Sequence, residues 1–508
     1  MYSKIYGADV VGVEARIITI ETDVNDGLPV FDMVGYLASA VKEARERVRI
    51  AVRNMGIHFP AKRVTINLSP ANLKKEGTTF DLPIAISLLT AFGYLSAECT
   101  KETMLIGELG LDGHIHKVNG VLAMVIEGYR HGIRHFLVPT ENAGEGALLP
   151  EANVYAVDTL EQTMRFLRGE VVLKPVTFSF ENVRKKQEET LDFIDMAGQG
   201  TMKRAAEIAV SGKHNLLFIG PPGSGKTMLA KRMPSIMPEL SWKESLEITK
   251  LYGICGLLSE EQAVVTRRPF RAPHHTVTAT ALTGGGRIPM PGEITLASHG
   301  ILFLDELPEF CRSSLEALRE PLEDRKVTIS RLGRSYEYKS DCIFVAAMNP
   351  CRCGYFPNRE KCRCTNGDIK RYLNKISEPL LDRMDLCVET GMPDFSLYGK
   401  GEESSSDIRN RVKRTIAIQS KRYQNEIFSA NGEIPSSLLE KYCLLGEEQK
   451  ELLALYWQKE NGSMRKVARL LRVARTIADM EQSEEVLEQH ITEAIRFGSI
   501  DKKYWGDL

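Results

Sequence analysis

No stretch of this sequence is apolar for long enough to cross a bilayer. The longest such run, residues 82–95, is broken by Pro83 and Ser87, and a spanning helix needs about 20 apolar residues. An excess of one charge is also missing. Lys and Arg total 66 against 67 Asp and Glu, for a net charge of −1. There is therefore no global field to attract nucleic acid, and any such surface must be local. Residues 1–22 alternate like a strand and lack the basic and apolar segments of a secretory signal. Ten cysteines are too few and too scattered for a disulfide framework. Reduced thiols, a cytoplasmic location and no membrane partner are expected. No internal repeat is visible.

What is present is an ordinary globular composition, 43% hydrophobic and 26% charged. The length of 508 residues suggests about three domains. Residues 1–170 mix alternating strand-like stretches, at 16–21 and 63–67, with helical ones at 38–55 and 81–92. A polar, charged linker is expected over 171–191. Residues 192–395 show short apolar strands followed by helical patterns, the order of an α/β domain with a parallel sheet. After a polar break at 399–406, residues 407–508 read as helical throughout.

The chemistry concentrates in the middle segment. Gly220-Pro221-Pro222-Gly223-Ser224-Gly225-Lys226-Thr227 matches GxxxxGK[ST] in full. An apolar strand precedes it at 215–219 and a helix follows from 228. Such glycines let backbone N–H groups turn toward phosphate oxygens. Lys226 offers a point charge to the outer phosphates, Thr227 can hold Mg²⁺, and the helix start adds its positive end. Four apolar residues at 301–304 then run into Asp305 and Glu306. Asp305 is the candidate for the Mg²⁺ shell and Glu306 for the base that activates water. A third apolar strand, 341–348, ends at Asn349, a candidate to fix that water, although Asn before Pro350 is also a common turn. Arg383, in Ser-Glu-Pro-Leu-Leu-Asp-Arg, sits where an arginine finger would be offered to a neighbouring subunit. A surface pairing with Asp382 or Asp385 is the alternative. In the last segment Arg465, Arg469 and Arg472 fall on one helical face. One of them could touch nucleotide, and a solvated basic face is the bland reading.

These motifs, with the stretches 192–199, 268–276, 291–297 and 473–479, resemble the magnesium-chelatase-like AAA+ ATPases of bacteria, of the YifB/ComM type. The likeness covers essentially the whole chain. It implies a P-loop AAA+ core with a parallel sheet, an N-terminal α+β domain like that of Lon proteases and a C-terminal helical lid. It implies ATP and Mg²⁺ as cofactors, with Lys226 and Thr227 as the Walker A pair and Asp305 and Glu306 as the Walker B pair. Asn349 becomes sensor 1, Arg383 the finger and Arg465 sensor 2. It further implies a homo-oligomeric ring, usually a hexamer. ComM-type proteins are implied to be DNA helicases driving branch migration during natural transformation. Where Lon proteases carry a serine and a lysine, this chain has Thr79 and Leu122. Leucine cannot act as a base, and Lys117 lies five positions away, so the first domain is expected to be a non-proteolytic scaffold.

Two further features stand outside the nucleotide motifs. Cys351, Cys353, Cys362 and Cys364 place four thiols within one short loop, a composition that fits a closed structural Zn²⁺ site. Two disulfides or four unliganded thiols are the alternatives. Basic residues crowd 351–375, with Tyr355, Phe356 and Tyr372 interleaved as candidates to stack on unpaired bases. A hairpin is expected over 326–338, with Arg331 and Arg334 near its tip as candidates for DNA phosphate. His274 and His275 are adjacent, and adjacent side chains point apart in a strand, which argues against a shared metal. The reading that follows is an ATP-dependent motor on single-stranded or branched DNA. A chelatase-type protein-remodelling motor and an ATP-dependent protease are the alternatives.

Overall fold

Alternating residues at the start of the chain pair as expected. In the computed structural model, strands β1 (Tyr2–Val11) and β2 (Glu14–Asn25) run antiparallel with Ile5 opposite Ile20. The structure describes residues 1–508 except 179, 181–190, 260–261, 287–288, 332–333, 393–401, 460–462, 499 and 506–508. The charged run of the expected linker, 184–189, lies outside the described residues. The chain divides into two compact units. The first holds the described residues of Met1–Lys186 together with Ser241–Thr266 and Ile288–Met290. The second holds those of Gln187–Leu240, Arg267–Arg287 and Pro291–Leu508. Among the described residues no helix is long and apolar enough to cross a membrane.

The first unit is built on a seven-stranded mixed sheet. To β1 and β2 it adds β3 (Val30–Val34), β4 (Arg63–Ser69) and β5 (Thr103–Leu105). A small hairpin of β6 (Glu108–Leu109) and β7 (Ile115–His116) follows. With β8 (His135–Pro139) and β9 (Asn153–Val157) the sheet order is β3-β4-β2-β1-β5-β8-β9. The apolar run noted in the sequence becomes the helix Asp81–Ala91, buried along its whole length. Its polar residues are satisfied inside the unit, as buried polar groups must be. Ser87 Oγ bonds to Ser3 and Thr22 hydroxyls at 2.8 and 2.7 Å, and Asp81 receives two bonds from Arg47 at 2.7 and 2.9 Å. Leu122, at the start of the helix Val121–Arg130, is fully buried with Leu148 and Val264. Lys117 Nζ donates to the Leu258 carbonyl at 2.8 Å.

The second unit contains a five-stranded parallel sheet. Its strands are β10 (Leu216–Ile219), β11 (Phe270–Arg271), β14 (Ile301–Leu304), β17 (Ile343–Met348) and β18 (Leu386–Glu389), in the order β11-β14-β17-β10-β18. Two very short strands, β12 (Gly284–Gly285) and β13 (Met290–Pro291), lie between β11 and β14 in sequence. β10, β14 and β17 are buried at every residue. This is why they read as continuous apolar runs and not as alternating ones. β15 (Lys326–Arg331) and β16 (Arg334–Lys339) form the expected antiparallel hairpin, with Arg331 opposite Arg334. The side chains of those two arginines and residues 332–333 lie outside the described residues. Beyond Ser404 the described residues form helices joined by turns, with no strand among them, the long helices being Ser405–Arg422, Glu447–Lys459, Met464–Met480 and Glu488–Gly498.

Candidate nucleotide-binding site

Parallel strands set all their carboxyl ends along one edge of a sheet, which is where such sheets bind ligands. Three of the candidate motifs leave strands at that edge: residues 220–227 after β10, Asp305-Glu306 after β14 and Asn349 after β17. β14, β17 and β10 are neighbours, so residues 78 or more positions apart in sequence meet here. Gly223 and Gly225 adopt φ of +78° and +88°, the left-handed region that residues with a Cβ avoid. They turn the loop into the helix Lys226–Ile236.

Five of the candidate side chains make direct contacts, Lys226 with Ser224 and Asn349, and Thr227 with Asp305. Lys226 is buried and its Nζ donates to the carbonyls of Gly220 and Pro221, both at 2.8 Å. It also donates to Ser224 Oγ and Asn349 Oδ1, both at 3.3 Å. Burial pulls its ammonium down to about 8, opposed by the Asp305 carboxylate. Thr227 Oγ1 donates to Asp305 Oδ2 at 2.6 Å, and Asp305 Oδ1 accepts from the Glu306 amide at 2.9 Å. A hydroxyl beside a carboxylate is an oxygen donor set suited to Mg²⁺. The ammonium folded back on its own loop's carbonyls is a donor without an anion. The residues therefore fit a nucleotide with its metal, held by Lys226, Thr227 and Asp305.

The Glu306 side chain stands apart from this network. The residue sits at φ 54°, ψ 46°, a region uncommon for residues with a Cβ and often found at functional sites. Its exposed carboxylate has His275 Nδ1 3.8 Å away. The strand containing Phe270 and Arg271 ends before the histidines, so His274 and His275 lie on a loop. There their rings meet at 4.0 Å between centroids. The expectation that they point apart fails because it assumed a strand. No metal-ligand cluster among the described residues includes them. His275 reaches Glu306 from the loop that follows β11, which pairs with β14, and no spacing in the sequence reveals that pairing.

The arginines are not gathered with these five. Arg383 precedes β18, and its carbonyl accepts from Asn215, which precedes β10, at 2.9 Å. Ile219, by contrast, is opposite Glu389 at the far ends of the same two strands. Arg383 is thus at the amino edge of the sheet and the phosphate loop at the carboxyl edge. Four strand residues at about 3.3 Å each separate them by roughly 13 Å. Its guanidinium bonds to the carbonyls of Arg319 at 2.9 Å and Pro379 at 2.6 Å, and to the carboxylate of Glu323. Neither Asp382 nor Asp385 is its partner there. Arg465 is exposed and lies 3.9 Å from a carboxylate oxygen of Glu323, the residue that also pairs with Arg383. Arg469 and Arg472 form no solvated stripe. Arg469 is 6% exposed and donates to the Met384 carbonyl at 2.8 Å, and Arg472 donates to that of Ile434 at 2.8 Å. From Ala468 to Asp479 every residue of this helix but Arg472 is buried, so apolar stems pack inside and the heads of Arg469 and Arg472 are satisfied by backbone carbonyls.

The cysteine loop brings all four Sγ atoms within 4.8 Å of one another, a cluster that could hold a metal ion. Of its aromatic residues, Phe356 and Tyr372 are buried, so only Tyr355 remains exposed for stacking.

Three family profiles cover most of the chain. Residues 192–396 match the family described as magnesium chelatase, subunit ChlI. Residues 20–142 match subunit ChlI of Mg-chelatase, and 402–498 the ChlI C-terminal region. The uncharacterized protein YifB of Salmonella typhimurium is 42% identical over 97% of this chain and 96% of its own length. The competence protein ComM of Haemophilus influenzae is 39% identical over 97% and 96%. A more distant likeness, 23% over 56% of this chain and 31% of the relative, is to the DNA replication licensing factor Mcm2 of Drosophila melanogaster.

Proposed function

The chain belongs to the YifB/ComM family of magnesium-chelatase-like AAA+ ATPases, and from that premise we propose that it is a ring-forming motor coupling ATP hydrolysis to movement along single-stranded or branched DNA. One observation carries the ATPase half: Lys226 reaches Asn349 while Thr227 bonds Asp305, at the carboxyl edge of a parallel sheet. ATP with Mg²⁺ would supply the transferable phosphoryl group there. Lys226 would leave its carbonyls for the outer phosphates, Thr227 and Asp305 would hold the metal, Asn349 would position the attacking water and Glu306 would take its proton.

The ring half rests on the two edges of the sheet. Arg383 and Arg465 share Glu323 at the edge opposite their own phosphate loop. Both therefore serve the nucleotide of an adjoining subunit, as finger and sensor 2. Glu323 holds them until that interface forms.

For DNA, support comes from the basic hairpin β15–β16, the basic stretch 351–375 and the names of two relatives, a competence protein and a replication factor. We read the first unit as a Lon-like fold without proteolysis, since Leu122 is buried in an apolar cluster and Lys117 is engaged by a carbonyl. The test is ATP turnover by the full chain with and without forked DNA. DNA should raise turnover several-fold, and the gain should fall steeply as salt rises from about 50 to 200 mM. Turnover that ignores DNA but responds to a protein partner would replace the DNA motor with the chelatase-type alternative.

A further inference from the structure

Residues 351–364 contain turns but no helix or strand, and a loop of this kind needs something other than backbone pairing to fix its shape. All four of its cysteines are unpaired thiols. Cys351 Sγ is 3.3 Å from Cys353 and 3.7 Å from Cys362, and Cys353 is 3.5 Å from Cys362. With a Zn–S bond of about 2.3 Å, tetrahedral geometry sets neighbouring sulfurs about 3.8 Å apart. An iron–sulfur cluster interposes its own sulfides and would hold the thiolates farther from one another. Arg352, Lys361 and Arg363, interleaved with the ligands, offset the double negative charge of a zinc tetrathiolate.

The loop also touches the phosphate site. Gly354 lies so close to Pro222 that a Cβ on it would come within 2.4 Å of the proline Cδ, and its φ is +82°. The first ligand follows Asn349 by two residues. We propose that the four thiolates hold one Zn²⁺ ion, and that the metal-braced loop buttresses the phosphate-binding loop through Gly354 on Pro222. The ion is structural, because four protein ligands leave no open position. The buttressing rests on the nucleotide reading above; the metal site does not.

Elemental analysis of the full-length protein, purified without chelator, should give about one zinc per chain and no matching iron. Less than about a tenth of that, or iron instead, overturns the site. Cys311 is an exposed thiol, so metal release is best followed in a Cys311→Ser background. There p-hydroxymercuribenzoate should liberate the zinc and weaken binding of a fluorescent ADP analogue about tenfold or more, with recovery when thiol and zinc are restored. Release without any change in affinity overturns the buttress. Gly354→Ala leaves every ligand in place. It should keep its zinc and lose affinity by a similar factor, and wild-type affinity in that variant also overturns the buttress. A protein that carries zinc yet never binds the analogue would sink the nucleotide reading and leave the metal site standing.

Discussion

Lys226 faces opposite demands with and without phosphate. Alone, burial holds its ammonium near 8; beside phosphate oxygens it returns toward the ordinary value of about 10.4. Binding then takes up a proton wherever the free site has lost one. Affinity for an ADP analogue should therefore fall as pH rises from about 8 toward 10, approaching tenfold per unit, whereas Lys226→Met should bind weakly with no such slope. Folding does not explain that loss. Over the same window the unfolded lysine keeps its proton and the folded one does not, so this group's contribution to stability rises with pH. At Glu306 two substitutions separate chemistry from positioning. Glu306→Gln should retain ATP and lose hydrolysis by about a hundredfold or more. His275→Ala should lower turnover about tenfold with ATP affinity unchanged, which single-turnover and binding measurements distinguish. Glu306 was legible because an apolar strand ending in two carboxylates follows a phosphate loop. His275 was not, because its relation to Glu306 exists only through the pairing of β11 with β14.

Elements were legible where one physical cause dominates. β10, β14 and β17 are wholly buried, so each appears as an apolar run cut off by a polar residue. The helix Met464–Met480 was legible as a helix but not in its surroundings. Periodicity assigns a polar face to water, yet carbonyls of neighbouring segments accept from Arg469 and Arg472 instead. Nothing local to the helix encodes those acceptors. The hairpin β15–β16 carries the clearest prediction at this scale. Arg331→Ala with Arg334→Ala should weaken DNA binding across all sequences and reduce the slope of log affinity against log salt by about two. Basal ATPase should persist, since neither residue belongs to the phosphate site. Fluorescence anisotropy across a salt series measures the first effect, and unchanged binding would remove the hairpin from the DNA path.

Over the whole chain, the compact grouping departs from chain order at Ser241–Thr266, which belongs with the first unit. No shift of composition marks that excursion, so reading along the sequence offered no signal for it. The separation of Arg383 from the phosphate loop of its own chain does have a consequence at this scale. Arg383→Ala and Lys226→Ala should each be nearly inactive alone, yet a mixture should regain part of the wild-type turnover at junctions whose two faces are both intact. No recovery at any mixing ratio would mean that the arginine does not act across subunits.

Glu323 satisfies Arg383 within a solitary chain. On the proposal that this arginine acts across subunits, assembly would exchange that internal ion pair for one with a neighbour's phosphates. Turnover per chain should then fall steeply on dilution, well before the protein unfolds.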